Sequence, residues 1–142
     1  MIYQIATENG QVGHAVNNLQ ATIILGLKKG YGGFVQEKIH VMRVISEEYV
    51  KALQNDRHFL PFVIQDTVIT YAYKSDDGVV VAEHEPALQL ITDKSPLYAA
   101  DLSEDEWKDL VARYVAILGE SFQQFRVYVT YAKVETIILE QL

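Results

Sequence analysis

The stretch "SEDEWKDLVARYVAILG" at positions 103–119 constrains the fold more than any other. Ser103 and Glu106 stand three residues apart, so each side chain can reach the other's backbone N–H and close a capping box. Glu104, Asp105 and Glu106 put acids into the first turn, where the helix dipole is positive. Trp107, Leu110, Val111, Tyr114, Val115 and Leu118 then recur at three- and four-residue steps, which predicts a single buried stripe. Gly119 reads as the stop. A helix with one apolar stripe needs a surface to lie on, and the remaining sequence is rich in strand formers.

Upstream, "MIYQIAT" alternates like a first strand and "ENGQ" follows as a turn. From Val12 to about Lys29 the apolar residues Val12, Ala15, Val16, Leu19, Ile23 and Leu27 fit helical spacing, which predicts the other long helix. Residues 34–45, "FVQEKIHVMRVI", read as extended, and 46–56 as a short helix capped by Ser46. Pro61 to Lys74 is β-branched and apolar, and "YKSDDGV" closes it as a hairpin turn. "VVVAEH" and "ALQLIT" follow, broken by Pro86, which predicts an edge or a bulge there because proline cannot donate to a ladder. The final "FRVYVTYAKVETIIL" changes phase near Ala132–Lys133, which predicts a bulge. The expected order is β-α-β-(α)-β-β-β-α-β in one domain, 1–142. This is an α+β fold with two long amphipathic helices on a mostly antiparallel or mixed sheet. The two β-α-β ends leave a ferredoxin-like core open.

With 49% apolar and 22% charged residues the chain falls in the globular range. It has no cysteine, which excludes disulfides, thiolate metal sites and cysteine nucleophiles. The net charge of −7 argues against a nucleic-acid polymer as partner, since such binders carry a basic face. No apolar run approaches the ~18 residues of a membrane span, and the N-terminus turns polar too early for a secretory signal. A soluble, cytoplasmic protein is expected. His14, His40, His58 and His84 stand in no metal-binding spacing, no cofactor motif occurs, and no G-x-S-x-G is present. In "EHE", Glu83 and Glu85 share one strand face and His84 takes the other.

"KKGYGGF" at 28–34 is the one loop with a binding composition. Placed after a helix, it reads first as a stop: Lys28 and Lys29 suit the negative end of the dipole and Gly30 the left-handed cap. Gly32 and Gly33 could still expose amides to an anion, with the two lysines and Tyr31 beside them. Arg57 and His58 in "DRHF", and Arg126, complete the candidate ligand-binding set.

Ile24 and Leu25 lie off the helical stripe, so a subunit contact is expected to cover them. The leading expectation is therefore a non-enzymatic, homo-oligomeric protein that captures a small polar or anionic ligand, nucleotide-like in character, near 28–34. One alternative is a protein-binding module or inhibitor that turns its acidic, tyrosine-rich surface to a basic protein. The other is a small enzyme using acid–base chemistry from His84, Glu83 or His58.

Overall fold

The computed structural model describes residues 1–5, 7–8, 11–12, 14–29, 33–96 and 98–142. Four long strands form the main sheet: β4 (His14–Gly26), β5 (Val63–Lys74), β6 (Val80–Asp93) and β7 (Tyr128–Ile137). They lie in the order β5-β6-β4-β7, and every neighbour is antiparallel. Two short ribbons pair β1 (Tyr3–Ile5) with β8 (Leu139–Gln141), and β2 (Thr7–Glu8) with β3 (Gln11–Val12). Helix α1 (Lys38–Gln54) joins β4 to β5, and α2 (Glu104–Ser121) joins β6 to β7. This β-α-β-β-α-β connectivity is the one a ferredoxin-like core requires. The α+β class and the two sheet-packed helices agree with the sequence.

The helices cover one face of the sheet. Leu19, Ala21, Ile23 and Leu25 alternate along β4 and meet Leu88 and Leu90 of β6. Val41 and Ile45 of α1, with Trp107, Val111, Tyr114 and Leu118 of α2, close over them. Each such side chain contributes roughly 1.5–3 kcal/mol when fully removed from water. On the opposite face Thr22, Ile24, Gln89 and Ile91 remain half-buried. Tyr49 ties the two helices to the loop before β5: its ring meets Phe59 and Tyr114, and its hydroxyl donates to the Leu60 carbonyl. Burial pushes the Tyr49 hydroxyl up to about 12.

α2 forms as its capping box predicts, with both reciprocal bonds between Ser103 and Glu106 present. Leu110 packs at the margin of the core and is half-buried. Gly119 is not the stop. The helix runs on to Ser121, and Gln123 takes the left-handed turn at φ 50°, while Gln124 N–H bonds back to Gly119 O.

Three expectations are corrected. Residues 14–26 are a strand, not a helix: Leu19 and Ile23 stand four residues apart, a step that returns to the same face in a strand as in a helix, so their spacing fits both. Leu25 is consequently in the core, and Ile24 points to the opposite, open face. Residues 38–45 are helical, not extended, despite their β-branched content, and they run on into the helix expected from 46, which ends at Gln54. Ser46 lies in its middle, and Glu37 occupies the N-cap without a side-chain bond. The expected irregularity near Ala132–Lys133 falls instead on the partner strand, where β4 slips register between Ala15 and Asn18 opposite Thr136 and Val134.

Pro86 sits within β6, a central strand, rather than at an edge. The register explains how. Leu27 N–H donates to Pro86 O, so the missing proline N–H points to the β4 side, just past the last ladder pair, Gly26 with Ala87. Leu27 O, which that N–H would have met, accepts from Gln36 N–H instead. The proline thus marks where β4 leaves β6 and the chain turns toward α1.

Candidate functional site

Beyond Pro86 the hairpin of β5 and β6 continues without β4 beside it. Its turn forms as the sequence predicts, with Gly78 at φ 83° and Ser75 closing on Val79. The Asp77 carboxylate, held low by the Ser75 hydroxyl, fastens the turn from within. No residue of 68–74 or 80–86 is buried, on either face of the ribbon.

On the face turned away from the helices, the register sets Tyr71 opposite Glu83 and Ile69 opposite Glu85, with Tyr73 one step along. Tyr71 Oη donates to Glu83 Oε2 at 2.7 Å and Tyr73 Oη to Glu83 Oε1 at 3.2 Å. The two rings stack at 6.5 Å and 25°. The Tyr71 hydrogen bond is the main reason that the Glu83 carboxyl sits below its usual range, and Lys28 pulls in the same direction. Conversely, the bond to Glu83 raises the Tyr71 hydroxyl to about 12. One carboxylate is thereby held ionised by two phenols that are themselves held protonated.

The root of the 27–36 loop adjoins this cluster. Lys28 N–H donates to Glu85 Oε1 at 3.1 Å, and Gln124 Nε2 donates to Lys28 O at 2.7 Å. Gly26 forms the floor between them: a Cβ there would lie 2.7 Å from Glu85 Oε1 and 2.8 Å from Gln124 Oε1. Above it the loop closes on itself, Lys28 bridging to Val35 and Lys29 N–H donating to Phe34 O. Gly33 is obligatory in that closure, because a Cβ would fall 1.5 Å from Lys29 O.

The loop therefore follows a strand and precedes a helix, so the expectation that it stops a helix is corrected. The residues Gly30, Tyr31 and Gly32, and with them the left-handed cap, lie outside the described residues. Of the sequence candidates, Lys28, Lys29 and Gly33 belong to this loop, and Arg126 is exposed two residues past Gln124. Arg57 and His58 lie elsewhere, past the far end of α1, whose 17 residues span about 25 Å. There His58 Nε2 meets Asp101 Oδ1 at 3.0 Å. His84, on the other face of the ribbon from Glu83, is exposed. Tyr71, Tyr73 and Gln124 were not singled out from sequence. Among the described residues no cluster of metal-ligating side chains occurs, and no helix is long and apolar enough to cross a membrane.

No protein-family model matches the chain. No curated protein matches it. Among solved structures, the chain is similar to a phage SAM lyase in complex with S-methyl-5′-thioadenosine, at TM-score 0.54 and 19% identity over 89% of each chain. It is similar also to a phage SAM lyase in its apo state, at TM-score 0.53 and 17% identity over 98% of each chain. The likeness is one of fold. It overturns the expectation of a non-enzymatic binding protein, because both of these structures, which share the fold over most of the chain, are of an enzyme. The enzyme alternative fits better.

Proposed function

We propose that this chain is an enzyme that binds S-adenosylmethionine and cleaves its sulfonium C–S bond, with the Tyr71–Glu83–Tyr73 cluster as the reacting surface. The observation that carries the reading is one ionised carboxylate, clamped by two phenols and flanked by Glu85, on the uncovered face of the sheet. A sulfonium is a fixed cation, and two neighbouring carboxylates, Glu83 and Glu85, attract it. Tyrosine faces add a cation–π contact and a stacking surface for a purine ring.

The chemistry suits groups of this kind. When the bond from sulfur to the four-carbon chain breaks, its electron pair stays on sulfur and a neutral thioether, S-methyl-5′-thioadenosine, departs. A neutral leaving group needs no acid. The four-carbon fragment closes on its own carboxylate, the new C–O bond replacing the broken C–S bond, so the step consumes no water and needs no base. The lowered Glu83 carboxyl is a weak base and a good electrostatic partner, so its role is to hold and orient the cation. Lys28, next to it, suits the substrate's carboxylate. A substrate of this kind places the enzyme in the cytoplasm.

Incubation with S-adenosylmethionine and chromatography of the products tests this. The wild type should release S-methyl-5′-thioadenosine, and Glu83→Gln should lower the rate about 100-fold or more with the fold intact. Absence of that product, or a Glu83→Gln variant at the full rate, overturns the proposal.

Self-association belongs to the same reading, moved from Leu25 to the Ile24 face. That face and the two-sided ribbon leave Val63, Val68, Tyr71, Tyr73, Val80 and Tyr128 exposed, more apolar surface than a monomer usually carries. Light scattering should report a homo-oligomer; a monomer at high concentration refutes it.

A further inference from the structure

A cleft of about 470 Å³ lies between the loop that follows α1 and the first three turns of α2, far from the hairpin. Its floor is apolar, made by Leu102 and Leu110. Its walls are charged and sorted by sign along α2. Glu106 and Asp109 precede Arg113 along the helix, and the loop adds Asp56, Arg57 and His58. On a helix rising 1.5 Å per residue, Arg113 stands about 6 Å beyond Asp109 and about 10 Å beyond Glu106.

The arginines have no use inside the fold. Neither the Arg57 nor the Arg113 guanidinium has an ion pair or a hydrogen bond among the described residues, although Asp109 stands one helical turn from Arg113. Both lie near Tyr114, whose hydroxyl is raised by burial and opposed by each guanidinium in turn. The loop that carries Arg57 is held in place by a Schellman-type closure: Arg57 N–H donates to Ala52 O, and Asp56 takes the left-handed conformation at φ 51°. His58 Nε2 then fastens the loop to Asp101. Two unpaired guanidiniums on a fixed backbone, in a chain of net charge −7, are arranged for a planar anionic group. The acids at the other end exclude a polyanion and suit an ammonium.

We infer that this cleft is a second ligand site, separate from the proposed reaction surface, for a small zwitterion whose carboxylate and amine are separated by an aliphatic chain. The carboxylate lies in the fork of Arg57 and Arg113, the chain on Leu102 and Leu110, and the ammonium against Asp109 and Glu106. Neither charge alone satisfies both ends, so the site selects for the pair.

Three probes of matched length test the claim: 6-aminohexanoate, hexanoate and hexylamine, titrated against the full chain by amide chemical shifts. 6-Aminohexanoate should bind at least ten-fold tighter than either single-charge probe, with the shifts centred on 56–58 and 102–113. Arg57→Gln with Arg113→Gln should weaken it ten-fold or more while circular dichroism stays unchanged. Arg113→Lys, which keeps the charge and loses the fork, should fall between. Equal binding of 6-aminohexanoate and hexanoate, absence of shifts in the cleft, or unaltered binding by the double variant each overturns the inference. None of these readouts involves C–S cleavage, so they stand or fall apart from the hairpin.

Discussion

The two halves of strand β6 differ more than any two separate elements of this molecule. From Ala87 to Ile91 it is a central strand, flanked by β4 and β5, with Leu88 and Leu90 fully enclosed beneath the helices. From Val80 to Glu85 it is half of a bare two-stranded ribbon, with Val80 70% exposed. Pro86 stands at the junction, where its missing N–H ends the ladder with β4. One continuous strand thus serves as core at one end and carries the proposed reacting surface at the other. A ribbon of two strands is marginal in water on its own, so the inner half anchors the outer one.

The largest effect that sharpens this contrast comes from the inner half. Leu90→Ala removes a fully buried side chain under both helices and should cost roughly 2–5 kcal/mol, read from denaturant unfolding. The proposed cleavage of S-adenosylmethionine, per folded molecule, should change little. A loss below ~1 kcal/mol would place the core elsewhere.

The covering helix offers a gain of opposite sign. Gly119 lies inside α2, and a Cβ there would rest 3.5 Å from Val127 Cγ2, an ordinary contact. Gly119→Ala should therefore stabilise by about 0.5–1 kcal/mol through the entropy that glycine loses in a helix. Thermal unfolding checks it: destabilisation would mean that the helix ends at 119, as the sequence suggests.

That disagreement over Gly119 illustrates what the residues reveal and what they hide. α2 is legible because cap, first-turn acids and stripe coincide in one stretch. α1 has none of the first two, and Ile39, Met42, Val50 and Leu53 are exposed around it, so no single stripe stands out. β4 is masked because Leu19 and Ile23, four residues apart, satisfy either period. The site was closer to hand. Once the turn at 75–79 is recognised, facing positions sum to 154: Lys74 meets Val80, and Tyr71 must meet Glu83. The tyrosine–glutamate cluster follows from that arithmetic. Gln124 does not, because nothing local ties it to Lys28, 96 residues away.

The outer half should respond weakly where the inner half responds strongly. Val80→Thr exchanges one β-branched residue for another at an exposed position and should shift stability by less than ~0.5 kcal/mol in dilute protein. A larger, concentration-dependent loss would show that a second copy covers the ribbon and that the contrast belongs to the monomer only.

The smallest effect on stability, and the most direct reading of the site, comes from Tyr71→Phe. Glu83 titrates below its ordinary 4.5 chiefly because Tyr71 donates to it. Any stability from its ionisation is therefore present above pH 4.5 and lost as pH falls through the lowered value. Tyr71 works in the other direction: its hydroxyl is raised from 10.0 to about 12, so its contribution holds below pH 10 and is lost as pH rises through 12. Both groups stand on an exposed ribbon, where solvent screens them, so unfolding curves should barely move. Titration of the groups themselves is the sensitive readout. Tyr71→Phe should raise the Glu83 carboxyl, followed by carbon NMR. Glu83→Gln should bring the Tyr71 hydroxyl down toward its ordinary range, followed as the phenolate absorbance that Tyr71→Phe removes. A wild-type Tyr71 that already titrates near 10 would mean that the clamp is absent in solution. The ionised carboxylate would then lack its orienting phenol, and the outer half of β6 would be bare ribbon rather than a site.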